Sequence, residues 1–220
     1  MDDSSGLEGS KLTIHYPNGK KFVKKRISTD KNNVKQHENT FSNRGMRFEE
    51  DIQESCAFYL ARDKAVIHKK PTPLQIVRVH YPKRSAAVVT EAYFQQPSTT
   101  DFNGVYRGRY VDFEAKETRN KTSFPLKNIH AHQIDHMKQA EAHGGTCFLL
   151  MHFRAHKEVY LVPAAVIVDW YENKDKTRKS IPKKDIEAAG YHVPVGFLPR
   201  IDFLKAVDDY IDSQDRKEDE

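Results

Sequence analysis

An α/β domain with a mixed central β-sheet flanked by helices is what this 220-residue sequence predicts. Segments that alternate apolar and polar residues, the clearest running from Tyr110 to Glu117, are interspersed with segments of helical period such as Phe48 to Tyr59. In addition, Thr146 to His152 is a short, nearly unbroken apolar run, as expected of a strand covered on both faces. The composition, 38% hydrophobic and 30% charged, suits one domain with a buried core and an appendage. No apolar run approaches the roughly 18 residues that a membrane span needs, and residues 1–40 lack a secretory apolar core. Cys56 and Cys147 lie inside apolar segments and read as core thiols of a cytoplasmic protein, not as a disulfide.

Residues 1–40 are expected to form a basic, disordered N-terminal arm. From Lys11 to Arg47, ten Lys or Arg stand against only Asp30 and Glu38, and Tyr16-Pro17-Asn18-Gly19 reads as a turn. Order is expected to begin at Ser42 or Asn43, either of which can cap a helix. In that helix Phe48, Ile52, Ser55, Cys56 and Tyr59 share one face and Arg47, Glu50 and Glu54 lie outside it. Ala65–Ile67 reads as a short strand. Pro71 and Pro73 forbid a helix, and Leu74–Val79 alternates as a strand. Arg84 to Gln96 has no clean period. Asn103-Gly104 carries a two-residue hairpin signal. Tyr110–Glu117 is a strand, His130–His143 a helix closed by Gly144-Gly145, and Val159–Val162 a strand after the apolar run. Pro163 opens a helix to about Tyr171, another runs from Pro182 to Gly190, and the last covers Ile201–Ile211. A domain over 41–207 is therefore expected, followed by an acidic tail over 208–220.

The formal net charge of +5 understates the basicity of the body, because Asp208 to Glu220 holds seven acidic residues against Arg216 and Lys217. A basic body suits a polyanionic partner, although ordinary solubility charge accounts for it equally well.

In the strand around Asp112, Val111, Phe113 and Ala115 fall on one face, and Asp112, Glu114 and Lys116 on the other. Neighbours on one face stand roughly 7 Å apart. A cation held by Glu114 would therefore lie close to a water within reach of Lys116. Asp101 precedes the hairpin signal, so the chain can fold it back toward Glu114, giving a hard divalent cation two carboxylates. Such a set suits phosphodiester hydrolysis. A surface ion pair is the plainer reading of an acid-x-Lys triplet, and Glu172-Asn173-Lys174 is a second copy without the surrounding strand. His130, His132 and His136 permit a zinc site but fit a solvated helix face better, while Gln133 falls on the sheet-facing side with Ile129, Met137 and Ala140. Ala65 to Thr90 contains Lys69, Lys70, Arg78, Lys83 and Arg84 and no acid, with Tyr93 and Phe94 following. Phosphate contact with base stacking and a Lys-guarded edge strand over a core both explain that stretch.

Several ordered blocks extend the pattern: Tyr16-Pro17-Asn18-Gly19-Lys20, Asn43-Arg44-Gly45-Met46, His68-Lys69-Lys70-Pro71-Thr72-Pro73 and Tyr81-Pro82-Lys83-Arg84-Ser85-Ala86. Glu91-Ala92-Tyr93-Phe94, Ser98-Thr99-Thr100-Asp101, Asp112-Phe113-Glu114-Ala115-Lys116-Glu117-Thr118, Asn120-Lys121-Thr122-Ser123-Phe124-Pro125-Leu126 and His132-Gln133-Ile134 follow in order. Through these, the chain resembles the RecU family of bacterial Holliday-junction resolvases from Tyr16 to about Phe203. The resemblance implies a restriction-endonuclease-like fold of the PD-(D/E)xK nuclease superfamily, acting as an intertwined homodimer. It implies Mg²⁺ as cofactor, with Mn²⁺ a substitute, held by Thr99, Asp101, Glu114 and Gln133, and a catalytic set of Asp101, Glu114 and Lys116. It implies a protruding stalk at about 82–97 that enters a four-way DNA junction, with Lys69, Lys83, Arg84, Tyr93 and Phe94 contacting DNA. RecA recombinase and the branch-migration helicase are the partners implied, in the bacterial cytoplasm at the nucleoid. The rival reading is a non-catalytic junction-binding regulator of those partners. One departure is Thr100, which stands where the wider superfamily often has Pro.

Overall fold

The computed structural model describes residues 13–15, 43–80, 87–95, 99–175 and 178–218. They fall into two units, one containing Thr13–His15 and Pro71–Pro97, the other running over His37–Lys70 and Ser98–Glu220.

The smaller unit is a three-stranded sheet. Strand β1 (Thr13–His15) lies parallel to β4 (Val88–Phe94), which pairs antiparallel with β3 (Leu74–His80) across a bulge around Arg78. Ala92 is its buried residue, whereas Leu74, Ile76 and Val77 are exposed. The basic arm expected over residues 1–40 lies outside the described residues apart from β1. The stalk expected at about 82–97 is described at 87–95 only, so Lys83 and Arg84 lie outside.

The larger unit is built on a six-stranded mixed sheet in the order β11-β9-β8-β6-β5-β2. Its strands are β2 (Val66–Lys69), β5 (Phe102–Tyr106), β6 (Arg109–Thr118), β8 (Thr146–Phe153), β9 (Glu158–Pro163) and β11 (Tyr191–Val193). β6 and β8 are parallel, joined through β7 (Ser123–Pro125) and helix α2 (Ala131–Ala142); the other neighbours are antiparallel. β7 pairs with β10 (Ser180–Pro182) in a separate ribbon. α1 (Asn43–Leu60) and α5 (Phe203–Glu218) cover one face of the sheet. There Phe48, Ile52, Cys56 and Tyr59 meet Phe102, Val111, Phe113 and Phe148. α2, α3 (Ala164–Glu172) and α4 (Lys183–Ala189) share the opposite core, where Ile134, Met137 and Ile167 meet Cys147, Leu149 and Met151. The expected mixed sheet with flanking helices is present, and β8 is buried along nearly its whole length.

Two local expectations are corrected. Asn103-Gly104 does not turn; it lies inside β5, and the β5–β6 turn is Arg107-Gly108, both with positive φ (50° and 73°), as a two-residue hairpin requires. Gly104 serves close approach instead, because a Cβ there would lie 2.0 Å from the Val66 carbonyl oxygen across β2. The acidic residues from Asp208 onward, expected as a tail, continue α5 through Glu218. Arg107 binds Asp208 at 3.1 Å and Asp212 at 2.8 Å, and Arg109 pairs with Asp215, so this segment is tied to the hairpin turn.

Candidate active site

The geometry begins on the face of the sheet opposite the site. Phe102 of β5 stacks on Phe113 of β6 with ring centroids 4.9 Å apart, and Phe113 stacks on Phe148 of β8 at 4.8 Å. All three are buried, so a one-residue slip of any strand would drive an aromatic ring out of the core. The row therefore fixes the pairing Phe102↔Phe113. Asp101 immediately precedes Phe102, the first residue of β5, and Glu114 immediately follows Phe113 on β6. Because side chains alternate along β6, Glu114 lies on the face opposite Phe113, the α2 side.

On that side Glu114 is buried, 1% exposed, and lies 2.6 Å through Oε1 from the Lys116 ammonium. Its second oxygen, Oε2, is buried and has no hydrogen-bond partner among the described residues. Asp101 accepts a long 3.4 Å hydrogen bond from the Ala115 amide. Burial pushes the Glu114 carboxyl well above its usual range; Lys116 opposes this, and the neighbouring Asp101 carboxylate adds to it. Two carboxylates confined with one ammonium leave the pocket short of positive charge, and an orphaned, buried carboxylate oxygen is what a cation would satisfy. Among the described residues, no three His, Cys, Asp or Glu side chains gather as a metal cage. A cation here would complete its shell with hydroxyl, amide, carbonyl or water oxygens, as Mg²⁺ accepts.

Thr99 and Thr100 precede Asp101, Thr99 partly buried and Thr100 fully. Gln133 is buried on α2, with Ile134 and Met137. Its Oε1 accepts the backbone N–H of His130 at 3.0 Å, so it caps the helix as well as facing the sheet. The zinc reading gains nothing: His130 and His132 stack with ring centroids 5.5 Å apart, while His136 reaches Asp112 at 3.2 Å, which also corrects the solvated-face expectation for His136. His132 stands near Lys116; burial, then the charges of His130 and Lys116, hold its pKa below the ordinary value.

A second cluster escaped the sequence reading. Asp112, fully buried on β6, binds Lys70 at 2.7 Å, Tyr110 at 2.6 Å, the Thr100 hydroxyl and His136. Burial alone would raise its pKa, but the bonds from Lys70, Thr100 and Tyr110 outweigh it and keep the carboxyl below its usual range. Asp112's place on the face of Glu114 was legible from the alternation; Lys70, just past β2, and Thr100, just before β5, left no local signal.

Of the expected DNA contacts, Lys69 pairs with Glu49 of α1. In the smaller unit Tyr93 and Phe94 are half-buried in β4, and the Tyr93 hydroxyl donates to Glu91 at 3.2 Å. No helix among the described residues is long and apolar enough to cross a membrane.

Residues 43–209 match the family described as Recombination protein U. A protein of Shouchella clausii is 53% identical over 215 residues, covering 94% of this chain and 99% of that protein. One of Geobacillus kaustophilus is 52% identical over 198 residues, covering 90% and 97%. Both are named Holliday junction resolvase RecU. Among solved structures, the Holliday junction resolvase Hjc of Archaeoglobus fulgidus aligns with a TM-score of 0.38 at 11% identity, over 67% of this chain and 94% of that one.

Proposed function

Because this chain belongs to the RecU family, we propose that it is a Holliday junction resolvase: an endonuclease that hydrolyses phosphodiester bonds at four-way DNA junctions with the help of Mg²⁺. The observation that carries the metal-dependent reading is the convergence of Asp101, Glu114 and Lys116, with Glu114 Oε2 buried and unpaired. Thr99, Asp101 and Glu114 would hold the cation, with Gln133 joining through the lone pair that capping leaves free. A divalent cation there supplies charge neutralisation and Lewis-acid polarisation at the scissile phosphate.

The chain's own groups do the rest. Glu114 holds Lys116 by one oxygen, fixing the ammonium on the side of the strand that faces substrate. Lys116, less buried than Glu114, orients the attacking water and donates to the negative charge that grows on the phosphate. The buried Phe102–Phe113–Phe148 row keeps the opposite face rigid, so Asp101 and Glu114 keep their spacing as charge shifts. A C₂ homodimer would present two such sites to two strands and so make symmetric nicks. Lys69, Lys83, Arg84, Tyr93 and Phe94 are assigned to DNA contact. RecA and a branch-migration helicase remain proposed partners.

The test is cleavage of a synthetic four-way junction with Mg²⁺, beside a linear duplex of matching sequence. The expected outcome is paired symmetric nicks in the junction and little cutting of the duplex. Asp101→Asn, Glu114→Gln and Lys116→Met are each expected to lower cleavage by at least about 100-fold while junction binding persists. Junction binding without cutting at any metal concentration would favour the regulatory reading instead. Normal cutting by two of the three variants would refute the site.

A further inference from the structure

We propose that Asp112 and Thr100 are positioning residues that hold the segment Thr99–Asp101 in place for the metal. The inference rests on the assignment of Thr99 and Asp101 to the cation.

Asp112 is a fully buried carboxylate in a central strand, and no step of the reaction uses it. As a stabiliser it is a poor choice, because buried ionic clusters rarely outperform apolar residues of the same volume. Its bonds explain what it offers. Thr100 Oγ1 donates to Asp112 Oδ1 and accepts from Lys70 Nζ at 2.9 Å, so its hydroxyl is held from two sides. The same Lys70 ammonium binds Asp112 at 2.7 Å, and the Lys70 backbone N–H donates to the Asp101 carbonyl at 2.7 Å. Lys70 and Asp112 thus grip the segment immediately before and at Asp101.

The metal-binding carboxylate itself is held loosely by comparison. Its contact with the Ala115 amide is 3.4 Å, near the limit of a hydrogen bond. Within the segment, Thr99 Oγ1 donates to the Thr100 carbonyl at 3.3 Å, also a long bond. The short bonds fix the backbone and Thr100; the long one leaves the Asp101 carboxylate to follow. Besides the strand pairing at Phe102–Phe113, Thr100 and Lys70 hold the segment that carries it. Groups that orient metal ligands in this way typically contribute about 10–100-fold in metal affinity.

Thr100→Val removes the hydroxyl and keeps the side-chain shape; Thr100→Ser keeps the hydroxyl. The readouts are Mn²⁺ binding to the DNA-free protein by calorimetry, thermal unfolding, and the Mg²⁺ dependence of junction cleavage. Thr100→Val is expected to bind Mn²⁺ about ten-fold more weakly. It should need correspondingly more Mg²⁺ for half-maximal cleavage while approaching the wild-type rate at saturation, and Thr100→Ser should restore the affinity. Tyr110→Phe, which deletes a donor to Asp112 at a residue 40% exposed, supplies a second variant should Thr100→Val fail to fold, and it too should weaken Mn²⁺ binding. Lowered melting temperature with unchanged Mn²⁺ affinity in the variants that fold would overturn the proposal, leaving Asp112 and Thr100 a purely structural role. Asp101→Asn separates the two levels: if it binds Mn²⁺ like the wild type, the metal assignment falls and this inference with it.

Discussion

Phe102 and Phe113 lie face to face, 3° from parallel, on the side of the sheet away from Asp101 and Glu114. The pair joins packing to chemistry, because Glu114 follows Phe113 on β6 and Asp101 immediately precedes Phe102. Phe113→Leu is expected to lower stability by about 1.5 kcal/mol and to reduce junction cleavage by more than that loss explains. Phe203→Leu is the control: Phe203 packs on Phe113 from α5 at 5.3 Å but takes no part in the strand register. It should lose similar stability in denaturant titrations and keep its cleavage rate at saturating Mg²⁺. Equal cleavage losses in both would detach the register from the site.

The two glycines of the β5–β6 hairpin should respond differently to alanine. At Gly104 a Cβ would lie 2.0 Å from the Val66 carbonyl oxygen and 2.6 Å from the Ile67 Cα, so backbone must move and about 3 kcal/mol is expected to be lost. At Gly108 nothing among the described residues lies within 4 Å, and the positive φ of 73° is what opposes a side chain, a loss of about 1 kcal/mol. Urea unfolding of the two variants ranks them, and a Gly108 variant as damaged as the Gly104 one would contradict the packing argument.

That hairpin also marks where reading along the chain stops working. Asn-Gly is a strong turn signal, and Arg107-Gly108 a weak one, yet the turn is the weak pair. What decides is a strand, β2, that crosses at Gly104 and comes from nearly forty residues upstream. The faces of β6 and α1 were legible because alternation and helical period are local. The Asp112 cluster was not, since Lys70 and Thr100 reach it through β2 and β5 pairing. Nor was the capping role of Gln133, because His130 is not a usual capping residue.

Glu141 predicts a pH-dependent stability. Its carboxyl is raised by burial on α2, and the Tyr210 hydroxyl, donating at 3.3 Å, offsets this only in part. A carboxyl whose folded pKa exceeds the unfolded value of about 4.3 gives its full contribution below that value and loses it as pH rises through the folded pKa. Glu141→Gln should therefore be more stable than the wild type at neutral pH, by under about 1 kcal/mol, with the gain vanishing near pH 4. Denaturant midpoints across that range check it, and a gain that grows toward low pH would reverse the sign.

Glu114→Gln sets stability against function at one atom. In the metal-free protein Glu114 shares a buried pocket with Asp101, and its Oε2 has no partner among the described residues. An amide of the same size removes the need either to bury a charge or to take up a proton there, while Lys116, 20% exposed, can still be solvated. The variant is therefore expected to gain about 1 kcal/mol without metal, as replacements of strained functional groups commonly do. It should also show a much smaller rise in melting temperature with Mn²⁺ than the wild type, since one of the two carboxylates assigned to the cation is gone. Differential scanning calorimetry of both proteins with EDTA and with Mn²⁺ decides the matter. A variant less stable than the wild type in EDTA would mean that the Glu114–Lys116 ion pair outweighs the crowding of the two carboxylates, and the pocket would then be satisfied without a cation.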